Sequence, residues 1–447
     1  TCVTWGPEGN YIYIAVLNRD QDHMKLNKYD AETGELVQTL FEEKHDKYVE
    51  PQQPLYFLPG DNEKFIWTSR RDGYNHFYLY NTEGKLLNQL TKGEWEVTSS
   101  PYFDKDGDYV FFVSTKESPI ERHFYKVSLK NYKIAKLTRE PGYHSPNPNS
   151  TCEYFIDNYS NTETPRIINV NDNKGNMVQQ MLVAKNPMVD YNLGDTEIST
   201  IKTKDGTTDL YYRLIKPADF DPDKKYPAII YVYGGPHAQL IHNRWMGGAR
   251  MWNYYMSQKG YVMLTVDNRG SANRGLEFEN IIHRKLGKYE LSDQMQGVEL
   301  LKSLGYVDTN RIGVHGWSYG GFLTTTMMLK KPKKIKVGVA GGPVIDWKYY
   351  EIMYGERYMD SPQDNPEGYE ENNLKNYVTN LKGDLLIING YMDDVVVPQH
   401  SMSFLRECIK NDVQVDYFTY PRHKHNVRGK DRIHLMQKVS NYFEDNL

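Results

Sequence analysis

Cysteine is scarce, long apolar runs are missing and neither sign of charge predominates; each shortage closes off a class of function. The three cysteines, Cys2, Cys152 and Cys408, lie far apart and match no zinc or redox spacing. Packed thiols are expected, and no metal or organic cofactor is predicted. No stretch of about 18 apolar residues occurs, which excludes a transmembrane helix. With 54 basic against 58 acidic residues the net charge is −4, which leaves no footprint for nucleic acid and no polybasic membrane patch. An initiating methionine is also missing, and the chain opens inside a strand repeat. A C-terminal portion of a longer protein is therefore expected, with any leader or anchor upstream. Tyrosine is abundant, at 37 of 447 residues. Such aromatics suit strands and binding surfaces.

Residues 1–185 read as β-structure with an internal repeat. Polar turns leading into aromatic or branched strands recur at Gly6–Ile14, Gly60–Trp67, Asp104–Phe112 and, more weakly, Asn147–Ile156. A second strand follows in each unit, at Lys25–Tyr29, His76–Tyr80, His123–Val127 and Arg166–Val170. A turn and a third strand follow at Gly34–Leu40, Gly84–Leu90, Tyr132–Leu137 and Gly175–Val178. A period of about 45 residues is the size of a four-stranded propeller blade. About four blades are predicted, as part of a larger propeller.

Residues 186–447 change grammar. Tyr226–Tyr233, Tyr261–Val266, Val337–Ala340 and Asp384–Asn389 are continuous apolar runs, as parallel strands buried on both faces must be. Helical stretches lie between them, for example Asp293–Lys302 and Ser401–Ile409. This alternation predicts a doubly wound α/β domain.

Within it, Gly316-Trp317-Ser318-Tyr319-Gly320 has the form G-x-S-x-G, after the short strand Arg311–His315 and before the helical run Phe322–Leu329. A sharp strand-to-helix turn there exposes a serine oxygen above the sheet. A serine hydroxyl needs a base, and the base needs an acid to hold its tautomer. In an α/β hydrolase the chain order is Ser, acid, His. Asp393 and Asp394 follow one predicted strand, and His423 and His425 follow the next, Val415–Tyr420. His425 is preferred over His423; composition does not choose between the two aspartates. An oxyanion would find one donor in the backbone N–H of Tyr319, and a second in the hydroxyl of Tyr233, at the loop after an early strand.

These motifs resemble the prolyl oligopeptidase family, in particular its dipeptidyl peptidase IV branch. Tyr233-Gly234-Gly235-Pro236, Asp267-Asn268-Arg269-Gly270, Leu291-Ser292-Asp293-Gln294 and Trp347–Met359 strengthen the likeness. The resemblance implies an α/β hydrolase preceded by part of an all-β propeller, with Ser318 as nucleophile, Asp393 as acid, His425 as base and Tyr233 as side-chain oxyanion donor. It implies a proline pocket lined by Trp347, Tyr350, Tyr354 and Val396. Where the dipeptidyl peptidase IV branch has an asparagine after the Asp pair, this chain has Val395. The run Asp393–Ser401, with His425-Asn426-Val427 and Asp431–Leu435, looks more like the bacterial prolyl tripeptidyl peptidases, which also have a glutamate like Glu351 that helps hold the substrate amino terminus. The family's main glutamate pair for that task has no equivalent in residues 1–185.

The resemblance thus implies a serine exopeptidase acting on peptides with a free amino terminus and proline at the cut, releasing di- or tripeptides. It allows for a homodimer and a periplasmic, cell-surface or secreted location. An endopeptidase or acylaminoacyl peptidase of the same clan, and a non-catalytic propeller binding protein, are the alternatives.

Overall fold

The computed structural model describes residues 2–447. Its contacts separate into two units: Thr1–Pro187 with His242–Met246 and Ala272–Asn280, and Met188–Ile241 with Gly247–Ser271 and Ile281–Leu447.

The first unit contains four antiparallel sheets of four strands, each in simple up-and-down order. The second sheet shows the pattern: Tyr56–Phe57, Lys64–Ser69, His76–Asn81 and Leu86–Gln89. Alternate side chains serve opposite faces, as strand geometry requires. Phe65 and Trp67 pack with Tyr13, Met24 and Leu26 of the preceding sheet, while Ile66, Phe77 and Leu79 pack with Val110, Phe112 and Tyr125 of the following one. Stacked pairs such as Phe65–Tyr80 (centroids 5.7 Å apart) and Phe112–Tyr125 (5.7 Å) show one use of the aromatics.

The first three repeats each carry a short first strand that the sequence pattern did not mark, Val3–Trp5, Tyr56–Phe57 and Tyr102–Phe103. In the last sheet Asn147 and Pro148, expected in a turn, end the first strand Tyr143–Pro148. A polar latch recurs in the second and third sheets. His76 Nδ1 pairs with Thr91 Oγ1 at 3.0 Å, and His123 Nδ1 with Thr138 Oγ1 at 3.0 Å. The same threonine oxygens accept from the backbone N–H of Phe77 and Phe124. The segment Ala272–Asn280 is held to this unit by Arg70, whose guanidinium grips the buried Glu279 carboxylate at 2.7 and 3.1 Å.

The second unit is built on one eight-stranded sheet: β1 (Thr196–Lys202), β2 (Asp209–Ile215), β3 (Tyr226–Tyr231), β4 (Val262–Val266), β5 (Val307–Trp317), β6 (Val337–Gly341), β7 (Asp384–Gly390) and β8 (Asp416–Tyr420). Their order across the sheet is 1-2-4-3-5-6-7-8. The pairs β1–β2 and β2–β4 are antiparallel; the rest are parallel. The central strands are buried on both faces, which explains their unbroken apolar runs. Strand β3 stops at Tyr231, so Val232 and Tyr233 leave the sheet two residues earlier than expected. The helices that bear on the site are α1 (Met251–Gln258), α2 (Lys288–Ser303), α3 (Tyr319–Lys330), α4 (Ile352–Met359), α5 (Gln399–Lys410) and α6 (Asp431–Asn446). Because β3, β5, β7 and β8 are parallel, the loops bearing Tyr233, Ser318, Asp393 and His425 all leave the same edge of the sheet, where open α/β sheets bind ligands.

Candidate active site

Ser318 sits between β5 and α3 with φ 62° and ψ −119°, a conformation costly for any residue with a Cβ. The turn is tight enough that its flanking glycines have no substitute. A Cβ on Gly316 would lie 2.4 Å from Val232 O, and one on Gly320 2.3 Å from the same oxygen. The motif spacing is thus a packing requirement. Ser318 N–H donates to Gly341 O at 2.7 Å, which ties the elbow to β6.

His425 Nδ1 and Asp393 Oδ2 are 2.8 Å apart, and Asp393 is buried. The other carboxylate oxygen, Oδ1, accepts from Val395 N–H at 3.0 Å and Val396 N–H at 2.9 Å. Three acceptor contacts fix the acid, and the acid fixes the imidazole with Nε2 left for other work. The carbonyl of His425 accepts from Trp317 Nε1 at 2.8 Å, so the residue before Ser318 anchors the histidine loop directly. The competing residues are occupied elsewhere: His423 pairs with Asp431 at 2.7 Å and Asp394 with Lys424. Ser318 and His425 share a cavity of about 600 Å³, with Tyr233, Tyr350 and Val395 also in its wall.

Burial raises the Tyr233 phenol above its ordinary value, with the adjacent Ser318 hydroxyl opposing the shift. Its loop is braced from behind. Asn268 Nδ2 donates to Gly234 O at 2.9 Å, and Gln294 Nε2 donates to Asn268 Oδ1 at 2.8 Å. Asp267 accepts from the N–H of Leu240 and Ile241, and Arg269 is clamped by Asp293 at 2.9 and 2.7 Å. The Asp267–Gly270 and Asp293–Gln294 motifs therefore position the Tyr233 loop rather than face the cavity.

Tyr319 opens α3, so its N–H belongs to the first turn, where no intrahelical acceptor exists. Its side chain points inward and donates to the buried Glu290 of α2. Burial pushes the Glu290 carboxyl up to about 7, with the Tyr319 hydrogen bond opposing. Among the described residues its second oxygen has no hydrogen-bond partner.

The aromatic cluster forms as a stack. Trp347 is buried, lies parallel to Tyr354 (6.0 Å, 13°) and meets Tyr350 edge-on (5.3 Å, 78°). Tyr350 and Tyr354 also meet edge-on at 5.3 Å. Tyr350 and Val395 reach the cavity wall, and Trp347 and Val396 are buried. Burial lifts the Tyr350 phenol to about 12, so it stays neutral and presents an uncharged face. Glu351 is exposed, and its two oxygens cap α4, accepting from Met353 N–H at 2.9 Å and Tyr354 N–H at 2.8 Å.

Wall residues that the sequence did not mark include Arg250, Trp252 and His315. Isolated residues at the ends of elements carry no pattern to find them by. The two wall imidazoles both have Nδ1 engaged, His315 with Val339 O at 2.8 Å and His425 with Asp393. Among the described residues no set of three metal-ligating side chains converges on this cavity.

Comparison with known proteins follows the same lines. Residues 249–447 match the model of the prolyl oligopeptidase family, and residues 1–166 that of the dipeptidyl peptidase IV N-terminal region. Dipeptidyl peptidase 8 of Mus musculus is 29% identical over 509 residues, covering 99% of this chain and 57% of that protein. Dipeptidyl-aminopeptidase B of Aspergillus niger is 33% identical over 449 residues, covering 95% and 49%. The chain thus spans about half the length of the curated relatives it matches. A Bacteroides ovatus crystal structure, assigned as a candidate dipeptidyl aminopeptidase IV, is 50% identical with a TM-score of 0.96, covering 100% of this chain and 66% of that one. Porphyromonas gingivalis dipeptidyl peptidase 4 is 30% identical with a TM-score of 0.91, covering 100% and 63%.

Proposed function

The chain belongs to the prolyl oligopeptidase family, and from that premise we propose that it is the catalytic portion of a serine exopeptidase that removes short amino-terminal peptides after proline. One observation carries the reading: a strained serine opens into the same cavity as an imidazole whose other nitrogen is held by a buried, triply bonded aspartate.

In this mechanism His425 Nε2 takes the Ser318 proton as the oxygen attacks the carbonyl carbon. Asp393 holds the tautomer and stabilises the imidazolium. The oxyanion is met by the N–H of Tyr319 and the hydroxyl of Tyr233. His425 then returns its proton to the leaving amine, and water resolves the acyl-enzyme. Proline has a compact, rigid five-membered ring and no N–H. Tyr350, backed by Trp347 and Tyr354, offers a flat neutral wall to such a ring. Glu351 stands at the start of the same helix with lone pairs beyond those used in capping, and is the candidate contact for the substrate ammonium.

Hydrolysis of Gly-Pro-p-nitroanilide by the full chain tests the proposal. Ser318→Ala is expected to abolish fluorophosphonate labelling and to lower turnover by about 10³-fold or more. Wild-type rates in that variant would refute it. Acetylation of the substrate amino terminus separates the exopeptidase reading, which predicts lost activity, from an endopeptidase.

A further inference from the structure

The wall of the cavity also carries positive charge that, among the described residues, no acid neutralises. Arg250, immediately before α1, and Arg432, in the first turn of α6, both line the cavity that holds Ser318 and His425. Neither guanidinium forms an ion pair among the described residues; Arg250 rests 5.8 Å from the Tyr231 ring centroid. The acids of the neighbouring loops are engaged: Asp431 with His423, Asp394 with Lys424 and Asp393 with His425.

Two further contacts make this a formed site. Trp252 Nε1 donates to Ser440 Oγ at 3.0 Å, which ties α1 to α6 and so fixes the two arginine-bearing elements against each other. His315 lines the same cavity, with its Nδ1 held by Val339 O. Burial, with smaller contributions from the charges of Arg250 and Arg432, holds the imidazole down to about 4, so it stays neutral and adds no positive charge beside the two guanidiniums.

The placement says which part of a substrate passes here. A base that returns its proton to the leaving amine must adjoin the leaving group. His425 and Asn426 come from the loop after β8, and Arg432, Leu435 and Met436 from the helix α6 that this loop leads into, so the base and these wall residues share one stretch of chain, whereas Tyr350 belongs to the aromatic cluster assigned above to proline. We propose that Arg250 and Arg432 form an anion subsite that binds a carboxylate on the leaving-group side of the cut: the terminal carboxylate of a short peptide, or an acidic side chain one or two residues beyond the cleaved bond. The inference rests on the peptidase reading above.

The test compares kcat/KM of the full chain for Gly-Pro-Ala as free acid and as carboxamide, with Gly-Pro-Asp-amide as the side-chain arm and Gly-Pro-p-nitroanilide as the measure of peptidase activity itself. The free acid, the Asp-amide or both are expected to exceed Gly-Pro-Ala-amide by about tenfold, mainly through KM. Whichever arm shows the preference identifies the source of the carboxylate. The advantage should shrink at about 0.5 M salt, because exposed guanidinium pairs are screened. It should approach unity in the Arg250→Gln, Arg432→Gln double variant. Should that variant fail to fold, the wild-type ratios and their salt dependence still decide. Ratios near one in wild type, with the p-nitroanilide cleaved, overturn the subsite and leave the peptidase standing. Loss of both p-nitroanilide turnover and fluorophosphonate labelling overturns the peptidase reading and the subsite with it.

Discussion

Glu290 should make the protein less stable as the solution turns from mildly acidic to neutral. Its carboxyl is buried against Tyr319, with one oxygen unpartnered, and burial lifts it from 4.5 to about 7. A folded state that holds a proton more tightly than the unfolded chain is favoured at low pH. Below about pH 4.5 both states are protonated and Glu290 carries no penalty. Between about 4.5 and 7 the unfolded chain has released its proton while the folded one retains it, so stability falls as pH rises. Above about 7 both are ionised and the loss is complete. The rise corresponds to about 3 kcal/mol at its fullest. Glu290→Gln keeps an acceptor for Tyr319 and removes the charge. It forfeits about 1 kcal/mol because a neutral acceptor is weaker. A net gain of about 2 kcal/mol is therefore expected at pH 8, vanishing or reversing near pH 4.5. Thermal unfolding of wild type and variant across pH 4.5–8 reads this directly. Curves that stay parallel across that range would show that the buried carboxyl is not the titrating group and would refute the reasoning.

Asp393→Asn should leave Oδ1 accepting from Val395 and Val396 but offer an amide N–H to His425, forcing the wrong tautomer; kcat is expected to fall by about 10⁴ with the fold intact by circular dichroism. Thr91→Val removes an oxygen that serves both His76 Nδ1 and Phe77 N–H, and should cost about 1–3 kcal/mol in thermal unfolding, with Thr138→Val costing a similar amount in the next sheet. A null effect from both substitutions would show the latches to be incidental.

What could be read beforehand divides along physical lines. The serine elbow was legible because its glycines recur at a fixed spacing wherever such a turn packs tightly; here Gly316 and Gly320 leave no room for a Cβ against Val232 O. Strands β3, β4, β6 and β7 were legible because burial on both faces leaves an unbroken apolar run. The first strands of the second and third antiparallel sheets, each two residues long, were not, since a period of two needs more than one repeat to register. Asp393 and Asp394 are chemically identical in sequence and separate only in space, one turned onto the Val395 and Val396 amides and the other out to Lys424. Glu290 and Arg250 were silent for a related reason. A single charged residue acquires meaning only from what folding brings beside it.

The twisted backbone at Ser318 sets durability against reactivity. A residue with φ 62° and ψ −119° holds roughly 1–3 kcal/mol that glycine there would release. A chain disarmed by that one replacement should therefore outlast the armed one on heating. Were robustness alone rewarded, the hydroxyl would be among the first groups lost, and its retention measures how steadily the chemistry is demanded.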